Sequence, residues 1–499
     1  MLRSRRKFVA ILSFFGLFTS AAVVLSAAAE LAYRVFRDRG CQTSVDGDFE
    51  LYVVGESTAV GEPYNDVITP ARLVSARFEN RIGGKDIRPI ILAHSGESIY
   101  PQSVALERAL RCRDGRNPGA VLIYSGHNDA GGTREMSVFE RLSERVFARS
   151  ALLADFIFYV EKNDYIGRER TFDAWQYYLR RVVDMSRRSG LVPILATAAS
   201  NLAGVDPGLG IDDSLPGTKA MLARGEELES KRSYSRALDY YSEQSVLPAR
   251  LGSYLKYRMG KCLEAMGQYA LARRDYQEAA DAGDSWNFGR ATSAQNDYIR
   301  RLAVSESIPL VDTVDLFARH SPHGIVGDEL FSDGHHPNVR GYVLLSSAYA
   351  ERLSEAFHEP LRRSIASPAD ALRLFPMSKQ EKAMAYLRSG CWFFSVAARH
   401  ANPKLRLTQA LDRYERAVAL APDDFYAWLW MGLTQAALKT DLLSKPEDLD
   451  WMSRHHLFYF DGKQAVAENE LPVITAKLRG AGVSEDILEH IMRSFRVSR

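Results

Sequence analysis

Five short runs of consecutive apolar residues, separated by amphipathic stretches, constrain this chain most: Leu51-Tyr52-Val53-Val54, Ile90-Ile91-Leu92, Ala120-Val121-Leu122-Ile123-Tyr124, Val192-Pro193-Ile194-Leu195 and Ile308-Pro309-Leu310-Val311. A strand with one wet face alternates apolar and polar residues, whereas an unbroken apolar run needs cover on both faces. Helical periodicity appears between the runs, over Phe172–Arg188, over Ala294–Ser305 and from Tyr342 onwards. The expected fold class is therefore α/β, a three-layer α/β/α parallel sheet with inserted and C-terminal α-helical regions. Reactive groups in such sheets collect at the carboxyl ends of the strands.

The 499 residues leave room for two to four domains. Lys+Arg total 64 against 62 Asp+Glu, and four of the positives (Arg3, Arg5, Arg6, Lys7) precede the first apolar stretch. The remaining 60 against 62 offers no basic surplus for nucleic acid. Phe8 to Ala29 is 22 residues without a charge, enough to span a bilayer core as a helix. The basic residues before it belong on the cytoplasmic side, which places everything after Glu30 outside. The expectation is a retained membrane anchor over 8–29 with an extracytoplasmic body. Cleavage after Ala27-Ala28-Ala29 is the competing reading, and it leaves the export unchanged. Four scattered cysteines with no CxxC pair argue against structural zinc and a disulfide scaffold; a Cys41–Cys112 bridge is left open.

Between the fourth and fifth runs, Gly225, Leu228, Tyr234, Ala237 and Tyr241 recur 35 residues later as Gly260, Leu263, Tyr269, Ala272 and Tyr276. The spacing resembles a tetratricopeptide repeat, in which small residues let two helices approach and aromatics fill the gap. Ala410, Tyr414 and Ala417 repeat the spacing of Ala272, Tyr276 and Ala279, although Gln244 answers Ala279 in the first unit. The expected organisation is an α/β domain over 48–205 and 287–357, a helical insertion at 216–285 and a helical region over 360–499. Two hairpins are too few to bury their own faces. The insertion is therefore expected to dock on residues 360–440, in a groove suited to a protein partner.

Four segments at strand ends carry the chemistry. Gly55-Glu56-Ser57 follows the first run, placing a serine hydroxyl on a tight strand–helix turn. Ser95-Gly96 follows the second, where glycine permits close backbone approach. Ser125-Gly126-His127-Asn128-Asp129 follows the third, and its Asn has an amide to offer an oxyanion. Asp333-Gly334-His335-His336-Pro337 follows the last, with a carboxylate three residues ahead of an imidazole that it can orient. Each alone is an ordinary turn or cap. Metal binding by Asp333, His335 and His336 is the rival reading, weakened because adjacent side chains diverge and no further ligands cluster nearby.

Together the four blocks resemble the SGNH/GDSL hydrolase superfamily: Gly55-Glu56-Ser57-x-x-x-Gly61, Gly96, Gly126-x-Asn128-Asp129 and Asp333-x-x-His336-Pro337. The resemblance implies a serine esterase or acylhydrolase with Ser57 as nucleophile, His336 as base and Asp333 as its orienter. It also implies an oxyanion hole from the Ser57 and Gly96 N–H groups and the Asn128 side chain. Glu56 stands where the family has Asp, a position that supports the turn. No metal or organic cofactor is called for. The expected partners are an ester-bearing substrate, an envelope or exopolysaccharide glycan with acetyl or other acyl groups among them, and the membrane through residues 8–29. An O-acyltransferase with the same triad, or a non-catalytic scaffold for an envelope assembly, are the alternatives.

Overall fold

Phe49–Gly55 (β1) is buried at every position, as a strand covered on both faces requires. It pairs in parallel with Lys85–Ile91 (β3) on one side and with Gly119–Tyr124 (β4) on the other. Beyond β4 lie Val192–Ala196 (β5) and Leu310–Val311 (β6), also parallel. The two-residue Arg81–Ile82 (β2) pairs antiparallel with β3 and completes the order β2-β3-β1-β4-β5-β6. This computed structural model describes residues 26–33, 47–129 (apart from 112, 114 and 116), 150, 152–153, 172–208, 217–244, 249–282, 290–397, 400, 403–440 and 466–497. The leader up to residue 25 and both Cys41 and Cys112 lie outside them; residues 26–33 are helical. Among the described residues no helix is long and apolar enough to cross a membrane.

Alternate residues of the central strands feed two apolar cores, one on each side of the sheet. Leu51, Val53, Leu122 and Ile194 face Val74 and, from the helix Val339–Phe357, Leu345, Tyr349 and Leu353. Val54, Val121, Ile123 and Leu195 face the helices Ile99–Arg111, Phe172–Arg188 and Ser293–Ser305. The three-layer α/β/α reading holds. The second run behaves differently from the others: its strand begins at Lys85, alternates in burial, and leaves Ile91 47% exposed. Its outer neighbour β2 is only two residues long, so β3 is close to an edge and needs no double cover. Gly83 and Gly84, both at positive φ (58° and 75°), close the β2–β3 turn.

The helical regions are built from glycine–tyrosine contacts. In the hairpin of Thr218–Ser230 and Tyr234–Glu243, a Cβ on Gly225 would run into the Tyr241 ring. In Ala249–Ala265 and Tyr269–Asp281, one on Gly260 would sit 2.9 Å from Tyr276. The hairpin of Lys379–Ala397 and Lys404–Leu420 does the same with Gly390 and Tyr414. Both inserted tyrosines donate a hydrogen bond to a glutamate, Tyr241 to Glu229 at 2.6 Å and Tyr276 to Glu264 at 2.5 Å. Those glutamates are also 35 positions apart, a member of the repeat that the apolar spacing did not reveal.

The expected union of the two helical regions gives way to a different arrangement. Tyr257, Leu263, Ala272 and Tyr276 of the insertion pack on Ala203 and Ile325, which are loop residues of the α/β domain. Residues from Leu387 to Phe495 form a core of their own with Val205. The two regions meet where Tyr254 and His400 stand with ring centroids 5.7 Å apart. The loops beyond β5 and β6 therefore cover the insertion's free apolar face.

Candidate active site

At the end of β1 the backbone passes so close to β4 that a Cβ on Gly55 would strike the Tyr124 carbonyl. Glycine there, at φ 155°, lets the strand turn at once into the short helix Ser57–Val60. Ser57 is 5% exposed. His336 comes from the loop before the Val339–Phe357 helix, 279 positions away, and its Nε2 lies 2.7 Å from Ser57 Oγ. Its Nδ1 lies 2.8 and 2.9 Å from the two oxygens of Asp333. Asp333 Oδ1 also accepts the backbone N–H groups of His335 and His336, so one short loop sets both members of the pair. The structure thus brings Ser57, His336 and Asp333 into one hydrogen-bonded line.

His335 has no hydrogen bond to Ser57; its ring packs between those of His127 (5.0 Å) and Trp392 (5.9 Å). Burial, then the neighbouring His336, holds the His335 imidazole well below its ordinary range, in the uncharged form. The ligand atoms of Asp333, His335 and His336 all lie within 4.8 Å of one another, close enough for a shared ion. Both His336 nitrogens and both Asp333 oxygens are, however, already engaged in the serine line. The donor set suits proton transfer better than a metal.

Gly96 has φ 80°, which glycine adopts without strain. Asn128 Nδ2 donates to the Glu97 carbonyl at 3.0 Å, which ties the Asn128 loop to the Gly96 loop. Glu56 departs from its expected part. It makes no side-chain cap on the short helix, but accepts from Gly126 N at 2.9 Å, Asn128 N at 2.8 Å and Ser125 Oγ at 3.1 Å. The residue beside the nucleophile therefore fixes the backbone of the Asn128 loop. Burial pushes the Glu56 carboxyl up to about 8, with Asp129 adding to the push against those three hydrogen bonds.

Three further side chains frame the site. Glu62 is 3% exposed and accepts from Ser95 Oγ at 3.3 Å. Arg388, on the Lys379–Ala397 helix, places Nη1 3.6 Å from the other Glu62 oxygen. Trp392, one turn further on, lies where a Cβ on Gly334 would be. Sequence order gave no sign of these contacts, because they join positions separated by 33, 58 and 326 residues with no shared periodicity. A glycine between Asp333 and His335 reads as a plain turn residue until its neighbour is seen.

No known family profile matches the chain, and no curated protein does. Among solved structures it is similar to a GDSL-like lipase from Bacteroides thetaiotaomicron, 11% identical, at a TM-score of 0.30 over 65% of this chain and 97% of that one. It is also similar to a protein assigned to the lipolytic G-D-S-L family from Desulfitobacterium hafniense, 9% identical, at a TM-score of 0.29 over 61% and 99%. Neither identity nor score is high enough to carry a role from those proteins to this one.

Proposed function

We propose that this chain is a serine esterase or acylhydrolase that cleaves ester-linked acyl groups. The observation that carries the reading is the Ser57–His336–Asp333 line, with Nε2 2.7 Å from Oγ and Nδ1 2.8 Å from the carboxylate. As Ser57 Oγ bonds to the ester carbonyl carbon, its proton passes to His336 Nε2. Asp333 holds Nδ1–H, which fixes the tautomer and steadies the imidazolium. The Ser57 and Gly96 N–H groups and the Asn128 amide receive the negative oxygen. Collapse expels the alcohol with the His336 proton and leaves the acyl group on Oγ. A water deprotonated by His336 then attacks the acyl carbon, and the acid leaves as Ser57 recovers its proton. No step asks for a cofactor.

The exported position read from residues 1–29 makes acylated envelope or exopolysaccharide glycans the proposed substrates. The test is a fluorophosphonate probe, which reports an activated serine whatever the substrate. Wild-type protein should be labelled and Ser57→Ala should not. A folded wild-type protein that takes no label would sink the reading.

A further inference from the structure

We infer that the Lys379–Ala397 helix of the C-terminal region positions both halves of this site, through Arg388 on the oxyanion side and through Ser389 and Trp392 on the base side. The inference rests on Ser57 being the nucleophile. On the first side, Arg388 pairs with Glu62 at 3.6 Å, Glu62 accepts from Ser95 Oγ at 3.3 Å, and Ser95 precedes Gly96. Arg388 also donates to the Pro63 carbonyl at 3.4 Å. On the second side, Ser389 Oγ donates to the Ser332 carbonyl at 2.6 Å, immediately before Asp333. The Trp392 ring fills the space beside Gly334 and stands edge-on to His335, whose own ring lies 4.0 Å from that of His336.

Gly334 gives the sharpest sign. Its φ is not in the left-handed region, and the three nearest atoms to an added Cβ all belong to Trp392. The loop that carries Asp333 and His336 is thus shaped to a side chain from outside the α/β domain. A helix that presses on a loop holding a general base sets the base's reach to Oγ, and an error of about 1 Å in such a reach costs on the order of 10²-fold.

The test uses the full chain with Gly334→Ala, Trp392→Phe, the double variant and Arg388→Met. Two readouts are taken: kcat and KM on a short-chain ester, and the low-field proton resonance of the His336 Nδ1–H bonded to Asp333. Gly334→Ala should lower kcat by about 10²-fold with KM little changed, and shift that resonance. Trp392→Phe should restore part of the loss in the Gly334→Ala background, because it vacates the Cβ position. Arg388→Met should lower kcat by about tenfold, less than the ~10²–10³ lost when an oxyanion donor is removed outright, and leave the His336 resonance in place. Unchanged kcat in both Gly334→Ala and Arg388→Met would overturn the inference, as would losses in KM alone. If wild-type protein neither hydrolyses the ester nor takes a fluorophosphonate label, the esterase reading fails. The resonance then still decides the base arm: a shift in Gly334→Ala upholds it and no shift overturns it.

Discussion

The insertion and the C-terminal region use one packing device to opposite ends. Each sets a helical glycine against a buried tyrosine, Gly260 on Tyr276 and Gly390 on Tyr414, with alanines filling in behind. The insertion then rests on Ala203 and Ile325 and stacks Tyr269 on His323, at 3.6 Å between centroids, and His323 and Ile325 stand at the start of the segment whose far end carries Asp333 and His336. The C-terminal region instead reaches Ser332, Gly334 and Glu62. It is further pinned by Arg406, whose Nε lies 2.6 Å from the buried Asp206 carboxylate. Burial alone would raise that carboxyl, but Arg406 and then His400 hold it below its ordinary value. Similar helices are thus an appendage in one place and part of the working centre in the other. What decides is where along the loops they land.

The largest effect belongs to the centre that both regions surround: Ser57→Ala should cost about 10³–10⁶ in kcat on a model ester while circular dichroism stays unchanged. Asp333→Asn should cost about 10⁴, because the amide no longer enforces the tautomer that His336 needs. Full activity in either would remove the shared centre and with it the contrast. Next comes the pin. Arg406→Met removes the main partner of the buried Asp206 charge, leaving His400 and Arg290, and should lower unfolding stability by up to about 3–5 kcal/mol, with esterase activity lost in parallel, by denaturant titration and assay. Gly260→Ala should cost about 1–3 kcal/mol by crowding Tyr276, yet leave kcat of the folded protein near wild type. If Gly260→Ala impaired kcat as much as Gly334→Ala, the two helical regions would not differ as described. The smallest effect is a slope. The Glu56 carboxyl binds its proton more readily folded than unfolded, so folding takes up a proton between its ordinary 4.5 and about 8. Stability should therefore fall as pH rises through that window. Thermal midpoints measured across it should show a flatter profile in Glu56→Gln.

Much of this was legible because local chemistry demanded it. Runs such as Ala120–Tyr124 have no option but a doubly covered strand, and Gly55-Glu56-Ser57 marks a turn that ends at a hydroxyl. The Phe172–Arg188 helix lies where its apolar period put it. The β2–β3 hairpin was missed because two residues make no pattern, although Gly83-Gly84 was a usable turn signal. Glu56 reads in sequence as a local support of its turn, but its carboxylate oxygens serve Gly126 and Asn128, some 70 positions on. Arg388 and Trp392 were invisible for a stronger reason: their meaning lies in Glu62 and Gly334, and no periodicity links such positions.

β5 and β6 are neighbours in the sheet, yet Thr197 and Asp312, bonded at 3.0 Å beside them, are 115 positions apart. Closing a slack loop of that length carries an entropic cost that grows with the logarithm of its contour. The inserted hairpins change the sum. Their glycine–tyrosine contacts span only 16 residues, so each closes a short loop before the distant strands meet. Once formed, they shorten the tether between the two strands to the stretches 197–217 and 282–309. The last parallel strand, and the loop that brings His336 to Ser57, then docks from nearby rather than from the end of a long coil.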